Sequence, residues 1–378
     1  MGHSPRLGLI TSQAYSLVNF RRELIAALVA RGISVFALAP DFTESSRNDL
    51  RLLGAVPVDY TLARATVSPV HDLLALGRLV RLLRQLKLDA TLAYFIKPVI
   101  YGTLGAWLAG IPCRFALIEG AGFVFSEGGS RPFRRNALRE LVIRMYRMSL
   151  KHAHRTLFLN PDDVELFVSH RMVDPNRARL IGGIGVDLKH WGFAPPVLDP
   201  PVFVLIARLL REKGVMDFVA AATTVKVTRP DVSFLLVGGI DENPGSLTES
   251  EVLEWHGRGI IQWTGSVQDV RPWLTQASVF VLPSYYREGI PRSIQEAMAM
   301  GRAIITTDTP GCRETVVPGL NGFLVPPKDP VALANAMMHF INNPPLISEM
   351  GVESRRLAET RFDVKAANQR IFSAIGIG

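Results

Sequence analysis

Two glutamates bracket the run Glu288-Gly-Ile-Pro-Arg-Ser-Ile-Gln-Glu296, with seven residues between them. Gly289, Ile290 and Pro291 cannot form a helix interior, because proline removes an amide donor and glycine carries an entropic cost there. Proline is tolerated where a helix begins, so the pattern predicts Glu288 in a loop and Glu296 in the second turn of the helix that follows. The apolar run Ala277-Ser-Val-Phe-Val-Leu-Pro-Ser284 just before it reads as a buried strand. A helix N-terminus favours phosphate through its free amides and its dipole. The carboxylates suit hydroxyl groups instead, as acceptors from a sugar or ribose. Phosphate and hydroxyls at one site outline a pocket for a nucleotide-sugar. The plainer alternative is a solvated acidic loop.

A second cluster, Arg208-Leu-Leu-Arg-Glu-Lys-Gly214, follows another apolar run. Arg208 and Lys213 would stand at a strand's C-terminal end, ahead of a helix. Arginine grips phosphate oxygens bidentately and lysine acts as a point charge. A departing nucleoside diphosphate needs such cations as its bond to the sugar breaks. Alone, the run also fits an ordinary basic surface loop. No Asp-x-Asp occurs in the chain, so no metal-bound diphosphate site of that type is expected, nor any bound cofactor beyond the co-substrate.

These residues need a scaffold, and the rest of the chain supplies its outline. With 378 residues two domains are expected, since a single core rarely grows beyond roughly 250–300 residues. Both halves alternate apolar strands with amphipathic helices, which predicts an α/β fold of two Rossmann-like, doubly wound domains facing a cleft. Strands are expected at 7–10, 34–38, 90–94, 115–117 and 156–159, then at 203–206, 233–237, 260–264, 279–282, 303–306 and 322–325. Helices are expected at 20–31, 72–86 and 101–109, then at 216–225, 267–276, 293–300 and 330–342. The Pro-rich interval Trp191–Pro201 marks the break. The domains are therefore placed at 1–192 and 193–361, with a last helix at about 362–378 packing back on the first.

No apolar run approaches the ~20 residues of a membrane span, and the N-terminus reads as a first strand rather than a secretion signal. Cys113 and Cys312 have no metal or disulfide spacing, which fits a reducing cytoplasm. Residues 1–190 hold 25 Lys and Arg against 15 Asp and Glu. A basic half meets nucleic acid, anionic membrane or anionic substrates. Aromatic residues are not clustered with the arginines, so nucleic acid is not expected.

Together, Glu288 with Glu296 and Arg208 with Lys213-Gly214 resemble the C-terminal domain of retaining glycosyltransferase family four, which has the two-Rossmann GT-B fold. Phe234–Gly239, Thr264–Asp269, Met298–Gly301, Asp308–Gly311 and Asn321–Pro326 are similar to it as well. The resemblance implies Glu288 near the hydroxyls of the transferred sugar, Glu296 on the ribose, and Arg208 with Lys213 on the diphosphate. Gly289, Ile290, Pro291 and Arg292 would line the phosphates, and Gly265, Ser266 and Val267 the base.

In the first domain, Ile96–Gly102, Glu119–Phe125 and Phe158–Asp163 resemble a bacterial subgroup that extends polyprenyl-diphosphate-linked oligosaccharides, using UDP-hexoses or UDP-N-acetylhexosamines at the cytoplasmic membrane face. Where many relatives carry a Gly-Gly loop, this chain has Ser12–Phe20, which contains Asn19. Where many carry a histidine, it has Ile118-Glu119-Gly120, so Glu119 is assigned as the first-domain catalytic partner. Lys97 and Asn19 are assigned to the lipid-linked acceptor. Asp162 and Asp163 read as a helix start.

From Arg134 to Lys151, helical periodicity puts Leu138, Leu141, Val142, Met145 and Met148 on one face, with Arg139, Arg144, Arg147 and Lys151 towards the other. Such a helix suits an anionic membrane surface, or equally a core-facing helix with a solvated basic back. The expectation is a peripheral enzyme on the inner face of a bacterial membrane. A GDP-mannose-dependent transferase and a non-catalytic sugar-nucleotide-binding protein are the alternatives.

Overall fold

The computed structural model describes residues 4–62, 69–125, 132–241, 243 and 245–377. The chain divides into two units. The first comprises 1–124, 129–184 and 365–378, and the second 185–364 with 125–128.

In the first unit the order is β1 (Arg6–Ile10), α1 (Ala14–Phe20), α2 (Arg22–Ala30), β2 (Ser34–Ala39), α3 (Glu44–Leu52), β3 (Val56–Asp59), α4 (Pro69–Leu86), β4 (Ala90–Tyr94), α5 (Thr103–Leu108), β5 (Cys113–Ile118), α6 (Pro132–Leu150), β6 (Arg155–Phe158), α7 (Pro161–Ser169) and β7 (Ala178–Leu180). The strands lie as β3-β2-β1-β4-β5-β6-β7, and every pairing among the described residues is parallel. Parallel strands need a crossover between them, so helices cover both faces and the central strands are apolar throughout. Leu9, Ile10, Leu92, Leu117 and Leu157 are fully buried.

The second unit runs β8 (Val202–Ile206), α8 (Val215–Thr228), β9 (Ser233–Val237), α9 (Glu249–Gly257), β10 (Gln262–Trp263), α10 (Arg271–Thr275), β11 (Val279–Leu282), α11 (Arg292–Ala299), β12 (Ala303–Thr307), β13 (Gly322–Val325), α12 (Pro330–Asn342) and α13 (Pro345–Arg361). Its sheet order is β10-β9-β8-β11-β12-β13, again parallel. Its core joins Phe203, Phe218, Phe234 and Phe340. The last helix, α14 (Val364–Ile375), falls almost wholly in the first unit. There Arg370 donates to the carbonyl of Ile181 at 2.6 Å.

The contact division falls at 184/185, whereas the sequence reading divides the chain at 192. The Pro-rich interval between those elements packs into the second unit. Buried Arg302 donates to the carbonyl of Ala194, and Arg355 to that of Trp191 at 2.9 Å.

Other differences have local causes. The strands not foreseen, β3 and β7, are the two edges of the first sheet and are only partly buried. The stretch Ser12–Phe20, compared above with a loop, is mostly helix. The helix expected at 101–109 begins a turn earlier, with a π-helical turn over Pro98–Gly102. The helix expected at 267–276 shortens to α10, where Asp269 accepts from the amide of Arg271 at 3.0 Å and Pro272 stands in the first turn. On α6 the buried stripe is Val142, Ile143, Tyr146 and Leu150. Leu141 and Met148, expected on the apolar face, are instead exposed beside Arg144 and Arg147. Among the described residues no helix is long and apolar enough to cross a membrane.

Candidate active site

Because all strands of the second sheet run the same way, the loops leaving their C-terminal ends share one edge. These loops follow β8 (residues 207–214), β9 (238–241), β10 (264–267), β11 (283–291) and β12 (308–311). Of the second-domain residues assigned to the site, Arg208, Lys213, Gly265–Val267 and Glu288–Pro291 lie on these loops, while Arg292 and Glu296 lie in α11, which follows the β11 loop.

At its centre, Lys213 Nζ lies 2.5 Å from Glu288 Oε1. Ser284 Oγ donates to the same oxygen at 2.9 Å, with the carbonyl of Glu212 at 3.2 Å as the alternative acceptor of its single proton. The amides of Tyr285 and Tyr286 donate to that carbonyl at 2.9 and 3.0 Å, so the β11 loop is tied directly to the loop carrying Lys213. Glu288 is buried, at 8% exposure. A lone buried carboxylate would be costly, and the ammonium and hydroxyl compensate it.

Two glycines make this approach possible. Gly214 has φ 75°, and a Cβ there would meet the carbonyl oxygen of Pro283 at 2.1 Å. Gly311 has φ 80°, and its Cβ would meet the carbonyl oxygens of Gly289 at 2.2 Å and Glu288 at 2.7 Å. Both positions favour glycine by conformation and exclude a side chain by contact. Buried Cys312 follows. Burial pushes its thiol up to about 11, and the charge of Glu288 acts in the same direction.

Pro291 is the N-cap of α11 rather than its first helical residue, so the helix begins one residue later than a proline at its first position would have it, and the N-cap makes no side-chain capping bond. Glu296 lies in the second turn. Arg292 Nε donates to Glu296 Oε1 at 2.8 Å, and Arg292 Nη1 to the carbonyl of Gly185 at 3.4 Å. Burial pushes the Glu296 carboxyl above its ordinary range, and neighbouring Arg292 pulls it partly back. Gln295, fully buried, donates to the carbonyl of Ile290 at 3.1 Å, which fixes Gly289-Ile290-Pro291 against the helix.

Arg208 is not in the Lys213–Glu288 group. It is half exposed and pairs with Asp241, Nη1 to Oδ2 at 2.9 Å. Gly265, with Ser266 and Val267, forms a partly exposed turn. Its carbonyl accepts from the amide of Gly238 at 3.0 Å, and one side of Gly265 is open.

In the first unit the three assigned residues have different partners. Glu119, just after β5, pairs with buried Arg21. The Arg21 guanidinium lies 4.6 Å above the Tyr94 ring, and Tyr94 reaches Ser16 Oγ at 3.0 Å. Burial raises the Tyr94 phenol to about 12. Lys97 Nζ is 3.2 Å from Asp72 Oδ1, and Tyr101 donates to the same buried carboxylate at 3.1 Å. Asn19 is exposed on α1, its amide donating to the carbonyl of Tyr15 at 3.0 Å.

The sequence reading missed the partners: Ser284, Asp241, Arg21 and Asp72. Only Ser284, at the end of a strand and four residues before Glu288, carries any local signal.

Comparison with known proteins identifies the family. The family profile described as "Glycosyl transferase 4-like domain" matches residues 18–183, and "Glycosyl transferases group 1" matches residues 200–343. The N,N'-diacetylbacillosaminyl-diphospho-undecaprenol alpha-1,3-N-acetylgalactosaminyltransferase of Campylobacter jejuni is 32% identical over 332 residues, 84% of each chain. The chain belongs to the group 1, family-four glycosyltransferases. This glycosyltransferase is also 28% identical over 293 residues to the UDP-Gal:alpha-D-GlcNAc-diphosphoundecaprenol alpha-1,3-galactosyltransferase of Escherichia coli, covering 74% of this chain and 72% of that one.

Solved structures share its fold. Sucrose-phosphate synthase from Thermosynechococcus elongatus superposes with a TM-score of 0.78 at 21% identity over 98% of each chain. Anabaena HepE, in complex with UDP and glucose, gives 0.78 at 17% identity, covering 99% of this chain and 100% of that one. The fold is thus GT-B, two parallel-sheet α/β units, and the general reaction is transfer of a sugar.

Proposed function

We propose that this glycosyltransferase moves a hexose or N-acetylhexosamine, with retention of configuration, from a UDP-sugar to a saccharide carried on polyprenyl diphosphate. The observation that carries the reading is the Lys213–Glu288–Ser284 cluster on the loop edge of the second sheet. One ammonium there is bound to one buried carboxylate. The lysine serves the diphosphate, and the Glu288 carboxylate accepts from sugar hydroxyls.

Arg208, half exposed, leaves Asp241 to join Lys213 on the phosphates, and the uncapped start of α11, with Ile290 and Arg292, adds backbone donors. Glu296 accepts from the ribose hydroxyls, and the Gly265–Val267 turn borders the base. In the reaction the bond between the anomeric carbon and the β-phosphate oxygen breaks. The acceptor oxygen bonds the same face of that carbon, and its proton passes to the departing phosphate. Charge on UDP falls on Arg208, Lys213 and the amides, so no metal is required.

Lys97 and Asn19 serve the acceptor and Glu119 stands on the first-domain side. Nucleotide-sugar donors and a polyprenyl carrier place the work at the cytoplasmic face of a bacterial membrane. The relatives' names, an N-acetylgalactosaminyl- and a galactosyltransferase acting on diphospho-undecaprenol saccharides, support this donor and acceptor class.

The test follows label from UDP-N-acetylgalactosamine, UDP-N-acetylglucosamine, UDP-galactose and GDP-mannose onto short polyprenyl-diphosphate saccharides, with and without EDTA. One UDP-sugar should transfer, insensitively to EDTA, to give an α-linked product, and Glu288→Ala should cost at least about a hundredfold in kcat. Transfer from GDP-mannose alone, or an inverted product, would overturn the reading.

A further inference from the structure

Three neighbouring helices of the first unit, α4, α5 and α6, pack side by side, and their outer residues are unlike those of an ordinary solvated layer. Leu73 and Leu74 on α4, Trp107 and Leu108 on α5, and Leu141 and Met148 on α6 are all exposed, Leu73 at 69%. Interleaved with them are exposed Arg78, Arg81, Arg84, Arg144 and Arg147. Carboxylates nearly vanish. Along these three helices the acids are Asp72, buried and held by Lys97 and Tyr101, and Glu140, paired with Arg144 at 3.1 Å.

The pattern continues past the C-terminus of α6. A groove of about 570 Å³ there is lined by Arg147, Lys151, Arg171 and Arg177, with Asp174 as its acidic residue. These arginines spend donors on backbone carbonyls: Arg147 on His170 at 2.9 Å and Arg177 on Lys151 at 2.7 Å. Arg84 likewise donates to the carbonyl of Leu108 at 2.9 Å. Trp107 stacks on His152, with ring centres 3.8 Å apart. Burial first, then Lys151, Arg114 and Arg177, hold the His152 imidazole below its usual range.

We propose that the outer face of the α4–α5–α6 layer docks on an anionic lipid bilayer, its arginines on the headgroups and Trp107 and the leucines in the interfacial zone. Bilayer interfaces accept a tryptophan ring and isolated leucines beside cations, and basic amphipathic surfaces bind there by both terms together. A nucleic-acid backbone would satisfy the arginines but leave the leucines without a partner. A second copy of this face would repel the first. The inference deepens the lipid-linked reading above by naming the surface that meets the membrane. It also places the amphipathic character in three helices rather than in α6 alone.

The test is sedimentation of the full chain with vesicles of phosphatidylglycerol in phosphatidylcholine against pure phosphatidylcholine. Binding should require phosphatidylglycerol and weaken with salt. The triple variant Arg78→Glu, Arg81→Glu, Arg144→Glu should lose about a hundredfold in affinity, and Trp107→Ser with Met148→Ser about tenfold. Reversal of Arg47 and Arg51 on α3 to glutamate should change little. All variants should still bind UDP, which reports an intact second unit, and still glycosylate a short-chain, water-soluble acceptor.

Equal loss from the α3 variant, no binding to phosphatidylglycerol vesicles, or full displacement by a DNA duplex would each overturn the proposal. Transfer without vesicle binding refutes the docking face alone. Vesicle binding without transfer from any donor refutes the functional reading alone.

Discussion

Glu296 is nearly buried on α11 with one arginine against it, and burial outweighs that arginine, leaving the carboxyl easier to protonate than an ordinary one. An acid whose pKa is raised by folding favours the folded state below its unfolded value, near 4.5, and loses that contribution as pH rises through the folded value. At neutral pH Glu296 therefore costs stability, which suits a residue kept for binding. If the carboxylate accepts ribose hydroxyls, kcat/KM for the UDP-sugar should fall on the acid side through a limb above the ordinary carboxylate range of about 4.3. The donor's diphosphate diester does not titrate there. Arg292→Ala, which removes the charge opposing burial, should move the limb to still higher pH. Glu296→Gln should raise KM and flatten it. An acid limb unchanged in Glu296→Gln would take the ribose role away from this residue.

At the scale of elements, the 288–291 loop depends on how closely two loops pass. The carbonyls of Glu288 and Gly289 approach Gly311 so closely that alanine cannot enter without moving one strand-end loop against the other. Gly311→Ala should cost about 1–2 kcal/mol for the left-handed backbone. It should lose disproportionately in kcat, by about a hundredfold if Glu288 shifts by roughly 1 Å. Gly259→Ala is the control: its φ is 68° and nothing lies within 4 Å of its added Cβ, so it bears backbone strain alone. A similar kcat for the two variants would show that the 288–291 loop absorbs the contact.

This loop also shows what a sequence can carry. Pro291, Gly289 and the apolar run before them are local signals, and β11 was legible to the residue. The placement of Glu288 in a loop and Glu296 in the second turn of the next helix was legible from the Gly-Ile-Pro run between them. Arg21, Asp72 and Asp241 were not, since each ion pair is made by residues far apart in the chain. The edge strands β3 and β7 were missed because an edge buries too little to leave a continuous apolar run. Ser12–Phe20 was compared with loops on the strength of a motif, although Leu17 and Ser16 are buried as on a packed helix.

On the scale of the whole molecule, chain order and unit membership part company at the C-terminus. After α13 the chain leaves the second unit, and α14 completes the first, whose preceding segment ends at residue 184. The closure is well made: Phe372 is 2% exposed, the Arg31 guanidinium lies 4.2 Å above its ring, and Arg370 holds the carbonyl of Ile181. Phe372→Ala removes a fully buried aromatic, a change worth about 3–5 kcal/mol, against domain stabilities of about 5–15 kcal/mol. The loss belongs to the first unit, although the residue lies beyond every element of the second. Calorimetry of Phe372→Ala should therefore show a transition moved well down in temperature and insensitive to UDP. A second transition should stay in place and rise with UDP, since a ligand stabilises only the unit that binds it. One shared transition that falls and still responds to UDP would mean that the two units unfold as a single cooperative body, and that the last helix supports the donor site as much as the sheet it covers.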